Sequence, residues 1–201
     1  TVLAMDVEPL TPYVFQLLAH LLEARSTATT TGTFVASNPI PVEQQSRSSG
    51  NSSDGSQDLG PAYEALLPPL LAPTLWENRA NTPALVRLLS AYLAHGSSGT
   101  GIVISHLDSI LGVFQKLVSS RASEAAAFEL ATAIVSRLPL GELAKGAGGQ
   151  AQGPSRLQIV FQLLLTRLQS CSGASAGAKA TKAELFKLRF VRLLSVICGA
   201  H

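Results

Sequence analysis

Apolar residues return at the 3.6-residue period of an α-helix in one segment after another, and this repetition limits the fold more than any other feature of the chain. The first such segment runs from Pro12 to Arg25, where Val14, Leu17, Leu18, Leu21 and Leu22 are spaced to form one stripe behind a Thr11–Pro12 cap and first-turn pair. The period returns from Ala62 to Trp76, where Pro68, Pro69 and Pro73 must break it into short, bent pieces. Asn81 is placed to cap a helix reaching His95, with Leu85, Leu88, Leu89, Tyr92 and Leu93 on one face and Gly96 as its stop. Ser105–Ser120 carries Leu107, Ile110, Leu111, Phe114, Leu117 and Val118 at helical spacing. Ser123 opens a helix to Leu138 that Pro139 ends, Pro154–Gln169 is helical, and a last helix covers Thr181–Cys198. No run of alternating β-branched residues is long enough for a sheet strand, so the expected class is all-α.

The spacing of these helices points to an architecture. The starts at Asn81 and Ser123 lie 42 residues apart, room for two antiparallel helices and short loops, which is the period of a HEAT-type hairpin repeat. The next interval, Ser123 to Thr181, is 58 residues and exceeds that period unless the small-residue runs Gly146–Gly153 and Ser170–Ala178 are inserted loops. The chain therefore divides into a repeat helix at 1–25, a disordered low-complexity insert at 26–60 rich in Ser, Thr, Gly, Asn and Gln, and HEAT-type repeats over 61–201 with flexible loops near 146–153 and 170–178. A stacked α-solenoid also explains the composition. Only 14% of the 201 residues are charged, whereas 46% are hydrophobic, too few charges to cover an ordinary free surface. Arg156–Gln169 and Lys182–Cys198 carry apolar residues around most of their circumference, the pattern of helices packed on two sides. Because the chain opens at Thr1 almost directly into a helix, it is expected to be a piece of a longer array with apolar ends.

Little in the sequence supports chemistry. His20, His95, His106 and His201 are scattered without metal-ligand spacing, and Cys171 and Cys198 have no short-spaced partner. The string Gly96-Ser97-Ser98-Gly99-Thr100-Gly101 lacks the Lys-Ser/Thr of a phosphate cradle and lies between helices, so it is a loop. Asn51-Ser52-Ser53 is a chance acceptor pattern in a Ser-rich stretch. No enzyme, cofactor or metal is expected, and no apolar stretch is long enough to enter a membrane. The net charge of +2 excludes a strong basic field for nucleic acid. That charge is polarised, however. Residues 154–201 hold Arg156, Arg167, Lys179, Lys182, Lys187, Arg189 and Arg192 against Glu184 alone, a net of +6 that leaves −4 for the rest. Counted at about 100° per residue, Lys182, Arg189 and Arg192 share an arc of about 80° and are the candidate partner-binding residues. Their other reading is a solvated face whose aliphatic stems cover leucines.

Tyr13-Val14-Phe15-Gln16-Leu17-Leu18, Leu75-Trp76-Glu77, Pro83-Ala84-Leu85-Val86-Arg87-Leu88-Leu89 and Leu111-Gly112-Val113-Phe114-Gln115-Lys116-Leu117 resemble, in this order, stretches of the CAS-type exportins of the karyopherin-β family. Phe161-Gln162-Leu163, Arg167-Leu168-Gln169-Ser170 and Arg189-Phe190-Val191-Arg192 are similar to the segment that follows, so the resemblance covers most of the chain outside its small-residue runs. It implies part of the C-terminal third of a HEAT-repeat receptor that carries importin-α out of the nucleus in a complex with Ran-GTP and hydrolyses nothing itself. Partners implied in the same way are Ran-GTP, importin-α and nuclear pore components, and the implied location is the nucleus, cytoplasm and nuclear envelope. The chain departs from the family pattern at 26–60, 146–153 and 170–178, and Arg189 and Arg192 stand where family members carry lysine. The competing readings are an α-solenoid scaffold without a transport role and, less favoured by the residues, a helical enzyme.

Overall fold

The helices stack in two layers. The computed structural model describes residues 10–30, 59–96, 101–146, 153–172 and 178–200. Among them are α1 (Thr11–Thr30), α2 (Pro61–Leu70), α3 (Thr82–Gly96), α4 (Gly101–Ser105), α5 (Leu107–Ser119), α6 (Glu124–Arg137), α7 (Leu140–Ala144), α8 (Arg156–Ser172) and α9 (Ala178–Ala200), with a 3₁₀ turn at Pro73–Trp76. One layer is the row α1, α3, α6, α9, in which each helix packs on the next. The other holds α5 and α8, which pack on each other and on α6 and α9 respectively. The only β pairing among the described residues is an isolated antiparallel bridge between Gly146 and Ser155. The fold is an all-α, HEAT-like solenoid.

Each helix follows from its sequence. In α5, Leu107, Ile110, Leu111, Phe114, Leu117 and Val118 are all buried, as the period requires. In α6, Ala126, Ala127 and Ala131 alternate with Phe128, Leu130 and Ile134, so small side chains let α3 and α9 approach closely on either side. Pro139 follows the C-cap Leu138 and stops α6. The left-handed backbone of Gly60 (φ 78°) turns the chain into Pro61, whose missing N–H falls where a helix has none to satisfy. Pro68 and Pro69 lie inside the last turn of α2, and the Leu70 carbonyl at the end of the helix accepts the indole N–H of Trp76 at 2.9 Å. The 3₁₀ turn is thus fastened back onto α2. Lys116 of α5 donates to the Pro73 carbonyl, and Tyr92 of α3 donates to the Tyr63 carbonyl of α2 at 2.8 Å. Burial pushes the Tyr92 hydroxyl well above its ordinary value, which keeps it a donor.

Several expectations change. Helix α1 runs on through Ser26–Thr30, the start of the stretch assigned to the insert, and Leu59, near that stretch's end, is buried. Its buried face is Phe15, Ala19 and Leu22, while Leu17 and Leu21 of the expected stripe are 63% and 57% exposed. The helix begins at Thr11, with the Leu10 carbonyl accepting the Val14 N–H, so Thr11 lies inside the first turn. Asn81 precedes α3 without capping it through its side chain, because its buried Oδ1 has no hydrogen-bond partner. Ser123 precedes α6, yet its hydroxyl reaches back to the Leu117 carbonyl at 2.8 Å and closes the end of α5 instead. The helix expected at Ser105–Ser120 is α5, which starts at Leu107, and the short helices α4 and α7 were not anticipated. Helix α8 extends to Ser172 and α9 starts at Ala178, into the expected break at 170–178. On α9 only one side is covered: Phe186 and Leu193 are buried, whereas Leu188 and Val191 are 66% and 60% exposed. Residues 31–58, 97–100, 147–152 and 173–177, and with them the bulk of the insert, the Gly-Ser string and both loops, lie outside the described residues, as do Asn51-Ser52-Ser53 and His201.

Two outcomes test this packing. Trp76 is 4% exposed and bonded at its ring nitrogen. Trp76→Ala should therefore lower unfolding free energy by about 3 to 5 kcal/mol in urea titrations, and a loss below about 0.5 would place the ring at the surface. The second outcome concerns pH. Arg87 of α3 holds Glu23 of α1 by paired bonds of 3.0 and 2.8 Å, and the Arg87 hydrogen bonds draw the Glu23 carboxyl below its ordinary range. A depressed folded value means that the pair stabilises fully above the ordinary glutamate value of about 4.3 and is lost as pH falls through the lowered one. Both side chains are over 40% exposed, so Arg87→Ala should cost only about 0.2 to 1 kcal/mol at pH 7. That difference from wild type should vanish in melts at acid pH.

Candidate protein-binding cleft

Helix α9 presents Phe186, Arg189 and Leu193 at i, i+3 and i+7 to α6. Phe186 is fully buried and meets Phe128 edge to face at 5.0 Å between ring centres, which pins the two helices together. Beside this contact the two helices leave a cleft of about 410 Å³ between them. Phe128, Glu129 and Thr132 line it from α6, and Arg189, Arg192 and Leu193 line it from α9. The floor is apolar and the rim is charged. Thr132 turns its hydroxyl onto the Phe128 carbonyl, 2.7 Å away, and so shows the cleft mainly its methyl.

The two cleft arginines have different tasks. Arg189 pairs with Glu124 at 3.6 Å. Glu124 sits in the first turn of α6, where the helix dipole favours a carboxylate, and is only 9% exposed, so it needs a cation beside it. Arg189 is therefore partly committed to holding α9 on α6. Arg192 is exposed and makes no ion pair among the described residues. Lys182 belongs to α9, but its side chain lies outside the described residues. Of the three candidate residues, the fold thus brings two to one cleft.

Sequence reasoning missed the residues on the other helices. Glu129 is exposed, lines the cleft and makes no ion pair among the described residues. It also borders a second, smaller hollow of about 160 Å³ on the other side of α6, which Arg79, Thr82 and Pro83 close from the start of α3. Ala125 is common to both hollows, so they form one furrow across α6. Arg79, Glu129 and Arg192 are far apart in sequence, and only the α3–α6–α9 row aligns them.

The remaining polar residues have structural places. Arg156 is buried and forks onto Asp108 of α5 through bonds of 2.9 and 3.2 Å, while its third nitrogen meets the Glu142 carbonyl of α7. His20 lies beside Arg87 and Glu23, His106 bonds the Ile102 carbonyl, and His95 is buried. Among the described residues no group of His, Cys, Asp and Glu is arranged to hold a metal ion. No described helix is long and apolar enough to cross a membrane.

Residues 51–201 match the family described as "CAS/CSE protein, C-terminus". The chain is 36% identical over 200 residues to Exportin-2 of Danio rerio, 35% over 202 residues to that of Xenopus laevis, and 32% over 200 residues to that of Homo sapiens. Each alignment covers 99% of this chain and 16% of the relative's length. No solved structure matches the chain. The family match over most of the chain, on a two-layered row of helices, places the chain in the CAS/CSE family.

Proposed function

We propose that this chain serves in a nuclear export receptor that carries importin-α out of the nucleus in a Ran-GTP-dependent complex, moving between nucleus and cytoplasm through contacts with pore components at the nuclear envelope. The observation that carries the reading is the family match over residues 51–201, joined by relatives named as exportins along nearly the whole chain. The mechanism is binding without catalysis, and the receptor needs no cofactor. A row of helices in which each packs on its neighbours bends by small adjustments at every interface. Two partners that favour the same curvature then raise each other's affinity, and nucleotide hydrolysis on one releases both. Lys182, Arg189 and Arg192 supply positive charge along α9 for an acidic partner surface, with Arg192 the residue best placed to do so.

The test is capture of importin-α by the protein that carries this chain at its full natural length, with Ran locked in its GTP state, with Ran-GDP and without Ran. Capture should rise at least about ten-fold with Ran-GTP, a coupling in the usual range between linked sites. Nucleotide-independent capture, or none by a folded protein, would leave a helical scaffold and remove the transport role.

A further inference from the structure

The furrow across α6 has a charge order that the transport reading does not supply. At one edge stands Arg79, in the middle Glu129, and at the other edge Arg192. All three are exposed, and none forms an ion pair with another described residue. Between them the surface is low, because Ala122 and Ala125 and the methyl of Thr132 project little from α6. Beneath that surface lie Phe128 and Leu193, which offer an apolar floor. A rim of separated charges over a shallow, small-residue groove suits a backbone lying across the helices and suits a bulky helix poorly.

We propose that this furrow binds an extended segment of a partner protein that carries two carboxylates flanking one basic residue. The carboxylates meet Arg79 and Arg192, the basic side chain meets Glu129, and an apolar side chain beside the second carboxylate enters the larger hollow against Phe128 and Leu193. Arg79 precedes α3 in the turn that leads into it, and neighbouring helix axes in such a row lie about 8 to 10 Å apart, so a segment crossing from α3 over α6 to α9 spans two such spacings, which about five or six extended residues cover. Arg189 takes no part beyond positioning, since it neutralises Glu124. The proposal rests on the reading of this cleft as a partner-binding surface and does not depend on Ran or importin-α.

Short synthetic peptides test it on the full-length protein. One carries Asp, Lys and Asp at the proposed spacing with a leucine beside the second Asp, one carries the inverted charges, and one is neutral. In fluorescence titrations at low salt the Asp-Lys-Asp peptide should bind about ten-fold or more tightly than its inverse, an advantage that salt diminishes. Arg79→Glu and Arg192→Glu should each abolish that advantage, and Glu129→Lys should transfer preference to a peptide with Asp at all three places. These side chains are exposed, so circular dichroism should be unchanged in each variant. Equal binding of the peptides, no binding, or an advantage that survives both arginine reversals would overturn the proposal. Failure to capture importin-α would leave these outcomes untouched.

Discussion

Burial of α3 on two sides holds the rest of the molecule in place. Ala84, Leu85, Leu88, Leu89, Ala91, Tyr92 and Leu93 are all at most 5% exposed, and they point around most of the helix, because α1 lies against one flank and α6 against the other. The two helices at the ends of the row lack such company. Helix α1 buries Phe15, Ala19 and Leu22 on α3 and turns Tyr13, Leu17 and Leu21 outward, and α9 does likewise with Leu188 and Val191. Stability in such a stack is a sum of nearest-neighbour terms, so the centre is firm and the flanks depend on what they touch.

Polar bonds then fix how the layers meet. Tyr92 and Lys116 each spend a donor on a carbonyl of the α2 region, and Arg156 spends three on Asp108 and Glu142. These contacts are directional where apolar packing is not, and they select one arrangement among many that would bury similar area. The cleft inherits that geometry. Its width is set by Phe186 on Phe128 at the base and by Arg189 on Glu124 at the side, so Arg192 and Glu129 are displayed from two fixed helices.

How much was legible varied with the kind of signal. The helices α3, α5 and α6 could be read from the sequence because apolar residues recur at helical spacing along each of them, up to Gly96, Ser119 and Arg137. In α1 both faces are apolar, so periodicity alone put Leu17 and Leu21 inside when Phe15 and Ala19 are the residues that pack. Helices α4 and α7 are five residues each, too short to show a period. Ser123 and Asn81 marked the right positions for the wrong reason, since a side chain's direction depends on what lies across the turn. The cleft was half legible: α9 showed its cations as a local run, whereas Arg79 and Glu129 join them only through stacking. The fork of Arg156 on Asp108 links residues 48 positions apart and left no local trace.

The ends of the segment 147–152 are tied together before it begins. Gly146 bridges Ser155, the Arg156 N–H bonds the Lys145 carbonyl at 3.1 Å, and the Arg156 side chain is anchored on α5 and α7. Helices α7 and α8 are thereby joined through residues on both sides of those six, and their register does not rest on the covalent link alone.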